Sequence, residues 1–147
     1  MEQRFNMQQL QPQAFKAVLG LEGYLATTDL SKTLKELIKI RASQINNCAY
    51  CIDMHTRDAI SNGEDVHRLL LVSAWREAKS FFSEEEQTAM AMAEEITLIH
   101  QQGLSADTYA RATAVFSETQ IAQIIMAVVT INAWNRIAVS THQQIGK

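Results

Sequence analysis

The chain has 147 residues, 47% of them hydrophobic and 20% charged, a balance that belongs to a folded protein and excludes a disordered one. Its net charge of −3 leaves no basic stripe to neutralise a run of phosphates, which excludes a nucleic-acid binder. Five glycines and one proline are too few for the turns of a sandwich, barrel or Rossmann sheet, so the expected class is all-α.

The punctuation divides the chain into about seven helices. The first spans roughly Pro12 to Ala26, with proline at a tolerated first-turn position. Asp29 or Ser31 caps a second helix running to about Gln44, with Leu34, Leu37, Ile38 and Arg41 at helical spacing. Asn46-Asn47 is a break, because asparagine tolerates left-handed backbone and also caps helices. A third helix runs from about Cys48 to Ile60 and stops at Ser61-Asn62-Gly63; a fourth covers roughly Glu64 to Glu77. Ser83-Glu84-Glu85-Glu86 has the S-x-x-E form of a capping box and opens a fifth helix to about His100. Gln102-Gly103 ends it, and Ser105 to Phe116 forms a short sixth. Ser117-Glu118-Thr119-Gln120 is a second box, opening a long apolar helix to about Val139. The tail after Thr141 is polar and expected to fray.

Thr119 to Asn135 is uncharged over 17 residues, but a membrane span needs ~20 apolar ones, and Gln120, Gln123, Thr130, Asn132 and Asn135 interrupt the run. The expectation is a helix buried in the core or in a subunit contact, not a membrane segment. Met1-Glu2-Gln3-Arg4 has no apolar signal core, which points to the cytoplasm. No repeat or linker divides the chain, so residues 1–147 are expected to form one domain.

The chemistry gathers in one stretch. Both cysteines lie in Cys48-Ala49-Tyr50-Cys51, and His55 follows Cys51 by four residues. In a reducing compartment this spacing reads as a redox pair or half of a zinc site. On a continuous helix Cys48, Cys51 and His55 share one face, and an antiparallel hairpin through Asn46-Asn47 brings Glu36 beside them. A thiolate is the nucleophile, a helix N-terminus favours it, an imidazole one turn away can accept its proton, and a carboxylate can orient that imidazole. A second thiol can resolve a sulfenic acid into a disulfide. Side chains three apart on a helix are wider than a relaxed disulfide, so a Cys48–Cys51 bond is expected to distort the first turn. Zinc held by Cys48, Cys51, His55 and Glu36, or plain core packing of the thiols, remain alternatives at this point.

The remaining candidates read as ordinary structure. His67, His100 and His142 lack a partner at ligand spacing and are expected on the surface. Met90 and Met92 are two apart and cannot share a helix face. Phe81-Phe82 suits a hydrophobic staple with Gln87 or an oligomer contact. Arg136 could satisfy the last carbonyls of its helix, or pair with Glu77 or a neighbouring subunit.

Glu36 to His55 has the pattern E-x11-C-x2-C-x3-H, which resembles the core of the carboxymuconolactone decarboxylase / alkylhydroperoxidase D family. The likeness extends through Trp75-Arg76-Glu77, Ser83 to Glu86 and Asn132-Ala133-Trp134-Asn135-Arg136, from about Leu10 onward. The resemblance implies an all-helical subunit assembling into homo-oligomers, often hexamers built as trimers of dimers. It implies a thiol-dependent peroxidase acting on alkyl hydroperoxides, recycled by a dithiol protein or lipoyl-type partner, with no cofactor. By position, Cys51 would attack the peroxide, Cys48 would resolve, and Glu36 with His55 would form the proton relay. The helix dipole favours Cys48 by ~0.3–1 kcal/mol, whereas a positioned base is worth ~10²–10⁴-fold, so the relay also selects Cys51. Tyr50 departs from the family's best-known peroxidases, which carry a histidine there; a phenol cannot serve as a base near neutral pH. Alternatives are the decarboxylation of a lactone acid, and a non-enzymatic redox or metal-binding helical protein.

Overall fold

The computed structural model describes residues 1–146. Eight helices follow one another: α1 (Met7–Leu10), α2 (Pro12–Ala26), α3 (Lys32–Ile45), α4 (Ala49–Ser61), α5 (Val66–Leu71), α6 (Glu84–Thr97), α7 (Ala106–Val115) and α8 (Glu118–Thr141). There is no strand among the described residues, and the all-α expectation holds.

Serine starts most of the long helices. The hydroxyls of Ser31, Ser83, Ser105 and Ser117 each accept the backbone N–H three residues on, and Ser83–Glu86 and Ser117–Gln120 are complete reciprocal boxes. Each such cap is worth ~1 kcal/mol. Ser31, not Asp29, caps α3.

Departures from the expected elements have local causes. The extra helix α1 is one short turn capped by Asn6, whose side chain accepts the Gln9 N–H. The fourth helix is shorter than expected because Asp65 caps it late, and after Leu71 the chain tightens into a 3₁₀ turn at Val72–Ala74. That turn seats Trp75 in the core at 2% exposure, a tertiary demand that periodicity does not register. The fifth helix stops at Thr97 instead of His100, and the chain turns through Gly103 at φ +69°, where a side chain would be strained.

Helices α3 and α6 form the spine. Thr88 to Glu94 are seven consecutive buried residues, so α6 is enclosed on all sides. Met92 packs with Leu34, Ile38, Ile124 and Val128, while Met90 packs on the other side with Leu37, Ile40, Trp75 and Phe82. Each fully buried side chain of this size contributes ~1.5–3 kcal/mol. A third, smaller cluster joins Ala42, Cys48, Cys51, Ile131 and Ala138, tying the cysteines to α8.

Helix α8 is long and apolar enough, by length and composition, to cross a membrane, with a mean hydropathy of 1.3. It nevertheless packs against α2, α3, α6 and α7 and buries Ile121, Ile124, Val128 and Ile131, so the core-helix expectation holds. The tail beyond it does not fray outright: Gln143 N–H donates to Ala138 O at 2.9 Å, and Arg4 N–H donates to Thr141 O at 2.9 Å.

Candidate active site

The site begins at the α3–α4 turn. Asn46 caps α3 by donating its N–H to Ala42 O, and Asn47 turns the chain at φ +52°. The Asn46 amide donates to Asn132 Oδ1 at 3.0 Å and Asn135 Oδ1 at 2.9 Å, and the Asn135 amide donates to Ser43 Oγ at 3.0 Å. This buried amide chain anchors the turn to α8. The Cys48 N–H then donates to Ser43 O at 3.0 Å, which fixes where the first sulfur stands.

Cys48 and Cys51 are bonded, with Cα atoms 5.3 Å apart. The expected distortion of the first helical turn does not occur. Cys48 lies outside α4 as its N-cap, with non-helical backbone at φ −89° and ψ 88°, so the pair closes without bending the helix. The Cys51 N–H donates to Cys48 Sγ at 3.3 Å, the place a serine oxygen occupies in the other caps. Because Cys48 is not helical, the shared helix face belongs to Cys51 and His55 alone.

One turn along α4, His55 Nδ1 meets Glu36 Oε2 of α3 at 2.9 Å, with side-chain exposures of 4% and 13%. The carboxylate accepts, so Nδ1 carries a proton, and in the neutral ring Nε2 holds the free lone pair. That Nε2 is buried and has no hydrogen-bond partner among the described residues. An unpaired buried nitrogen costs stability, and a catalytic use is one reason for a fold to keep it.

His55, Cys51 and Glu36 line one cavity of about 410 Å³. Its lining also carries groups that sequence reasoning missed. Lys39, 7% exposed, pairs with Glu22 at 2.8 Å, and the Trp134 indole N–H donates to the same carboxylate at 3.1 Å. Phe15 meets Trp134 edge-on at 5.0 Å. Glu22 did carry a signal: it is the sole charge between Lys16 and Asp29. Asp58, three residues after His55, also reaches this cavity.

The four-ligand zinc set does not assemble, because each sulfur is bound to the other. Glu36, His55 and Asp58 bring ligand atoms within 4.8 Å of one another, without either cysteine. The other histidines are peripheral. His67 is exposed and edge-on to Phe81, His100 is exposed, and His142 caps α8 in left-handed backbone at φ +54°. Arg136 satisfies neither the last carbonyls nor Glu77; it folds back on its own helix to Asn132 O at 3.0 Å and Asn132 Oδ1 at 2.7 Å. Phe82 is buried, while the Gln87 amide bonds its carbonyl at 2.9 Å, a polar version of the expected staple.

The carboxymuconolactone decarboxylase family model matches residues 12–95. The uncharacterized protein YdfG of Bacillus subtilis is 38% identical over 140 residues, 95% of either chain. A crystal structure of an Agrobacterium tumefaciens protein of unknown function, assigned provisionally to antioxidant defence as AhpD, is 36% identical, covers 99% of both chains and superposes with a TM-score of 0.95. The alkylhydroperoxidase AhpD core of an uncharacterized peroxidase-related protein from Ralstonia eutropha is 18% identical over 96% of this chain and 75% of that one. Its TM-score of 0.82 shows a shared fold. With its matched segment holding α2 to α5 and most of α6, and so Glu36, the cysteine pair and His55, the chain belongs to the carboxymuconolactone decarboxylase family.

Proposed function

We propose that the protein is a thiol-dependent peroxidase that reduces alkyl hydroperoxides through a Cys48–Cys51 dithiol/disulfide cycle. The observation that carries this reading is the bonded cysteine pair whose second member shares a cavity with the Glu36–His55 couple. In the reduced protein, His55 Nε2 accepts the Cys51 proton while Glu36 holds the ring through Nδ1. The Cys51 thiolate attacks the peroxide's terminal oxygen, the O–O bond breaks, and the alkoxide takes the proton from His55. Cys48 then attacks the sulfenic acid, releasing water and forming the disulfide. A dithiol of protein or lipoyl type returns two electrons and two protons. The AhpD-type relatives support the same reading. No cofactor enters the cycle, and the working form is a cytoplasmic, single-domain subunit of a homo-oligomer, a hexamer by family resemblance. On α8, Val129 remains 43% exposed, which suits such a contact.

The test is single-turnover oxidation of the reduced chain by tert-butyl hydroperoxide. Wild type should lose two hydrogens by mass and consume one equivalent of peroxide. Cys48→Ser should stop at a trappable sulfenic acid, and Cys51→Ser should consume none. Peroxide left untouched by the wild type would discard the reading, and lactone decarboxylation unaffected by Cys51→Ser would favour the alternative. Light scattering at 16.5 kDa would discard the oligomer.

A further inference from the structure

The disulfide faces two separate hollows. Cys51 lines the cavity of about 410 Å³ that holds His55 and Glu36, and Cys48 does not. Cys48 lines a second groove of about 400 Å³, formed with Asn47, Val139, His142 and Gln144, which Cys51 does not reach. Tyr50, Ala138 and Gln143 border both and form the partition. Both cysteines are nearly fully buried, at 1% and 2% exposure, so the hollow through which a reagent arrives decides which sulfur it meets.

The two hollows differ in charge. The Cys51 cavity sets Glu22, Glu36 and Asp58 against Lys39 and the His55 ring. Among the described residues, no aspartate or glutamate lines the Cys48 groove. A hydroperoxide is neutral and indifferent to this contrast. A thiol reductant reacts as an anion, and a cavity with a surplus of carboxylates disfavours its entry.

We propose that the groove beside Cys48 is the docking site for the reductant, the dithiol-bearing end of a partner molecule, and that its thiolate attacks Cys48. This rests on the peroxidase reading, and it assigns oxidant and reductant to opposite sides of one disulfide. The incoming sulfur bonds to Cys48 Sγ, the Cys48–Cys51 bond breaks, and its electron pair leaves on Cys51 Sγ, which takes up from solvent the proton that the partner thiol shed. The partner's second thiolate then displaces Cys48 from the mixed disulfide. Two electrons and two protons pass to the protein, and the partner leaves as a disulfide. One feature opposes this direction. The Cys51 N–H bonded to Cys48 Sγ makes Cys48 the better leaving group. A helix-terminus effect of that kind is worth roughly two- to thirtyfold, and it acts only on a thiolate that has already reached the disulfide, so the side from which that thiolate enters decides.

The test starts from the full chain oxidised with diamide, so it does not depend on peroxide reactivity. Brief exposure to 2-mercaptoethanol, quenching with excess N-ethylmaleimide and peptide mass spectrometry show which sulfur was attacked. The mercaptoethanol adduct should sit on Cys48 and the maleimide on Cys51, in about tenfold excess over the reverse pattern. The reverse pattern overturns the proposal. A second measurement uses Val139, exposed at 44% and therefore open to substitution. At low salt, dithiothreitol should reduce Val139→Lys about three- to tenfold faster than Val139→Glu, with the rates converging at high salt. Equal rates in the two variants overturn it. A Cys48 adduct in a protein that ignores peroxide removes the peroxidase reading alone. A Cys51 adduct in a protein that turns peroxide over removes the docking assignment alone.

Discussion

Glu36 and Glu94 are both sheltered carboxylates engaged with helix α3, and they are equipped for opposite tasks. Glu94 is saturated. Its Oε1 accepts Arg41 Nε at 2.7 Å and Trp75 Nε1 at 2.9 Å, and its Oε2 pairs with Arg76, whose guanidinium lies 4.3 Å over the Trp75 ring. Glu36 has one partner, His55, and that partner carries an unpaired buried nitrogen. The saturated cluster locks the 3₁₀ turn at Val72–Ala74 onto the spine. The unsaturated one holds a proton acceptor ready at a cavity wall. For these two carboxylates, valence left over beside a cavity, more than burial or charge, separates the site from the brace.

Substituting each acid by its amide should break the two clusters differently. Glu94→Gln leaves the charges of Arg41, 18% exposed, and Arg76 without their counter-ion and should lower unfolding stability by ~3 kcal/mol in a urea melt. The peroxide reaction of the remaining folded protein should stay within about twofold. Glu36→Gln should do the reverse: stability falls by ~1 kcal/mol or less, since an amide oxygen can still accept from Nδ1. Its single-turnover oxidation should slow by about 10- to 100-fold, the loss expected when a general base loses its orienting charge. A Glu94→Gln protein that is stable but inert would merge the two roles.

A third carboxylate sharpens the contrast by titration. Glu95 accepts the Ser105 N–H at 2.7 Å, the Thr108 hydroxyl at 2.7 Å and the Ser105 hydroxyl at 3.0 Å. Burial pushes its carboxyl up, but these bonds and the Arg76 charge outweigh burial and hold it below the ordinary value. A depressed carboxylate stabilises the fold above its unfolded pKa of ~4.3, and that share is lost as pH falls through the lower folded value. Glu95→Gln should cost ~1–2 kcal/mol near neutral pH in thermal or urea melts, and the gap from wild type should close below about pH 4. The smallest effect belongs to Arg136→Ala, within about 0.5 kcal/mol, because that exposed guanidinium touches only its own helix.

These differences mark what sequence could and could not reveal. Capping serines, the Asn46-Asn47 turn and the Glu36–His55 pairing were legible because each depends on residues close in sequence or on one short hairpin. The position of Cys48 as an N-cap was not, since helical spacing counts residues and does not register where the first helical residue falls. Glu22, Lys39 and Trp134 meet across 112 residues of chain, and only the packing of α2 on α8 brings them together. The partition of the disulfide between two hollows needs that same packing.

The order of manufacture follows from where α8 sits. The cysteines are complete once α4 ends at Ser61, but Ile131 and Ala138, which cover them, arrive about 70 to 80 residues later. At ~5–20 residues per second the ribosome leaves the nascent thiols uncovered for roughly 4–16 seconds. The chain holds only two cysteines, three residues apart, so whatever oxidant reaches them early can make just one intramolecular pairing. A count of two cysteines protects the newborn chain from intramolecular scrambling before any tertiary shield exists.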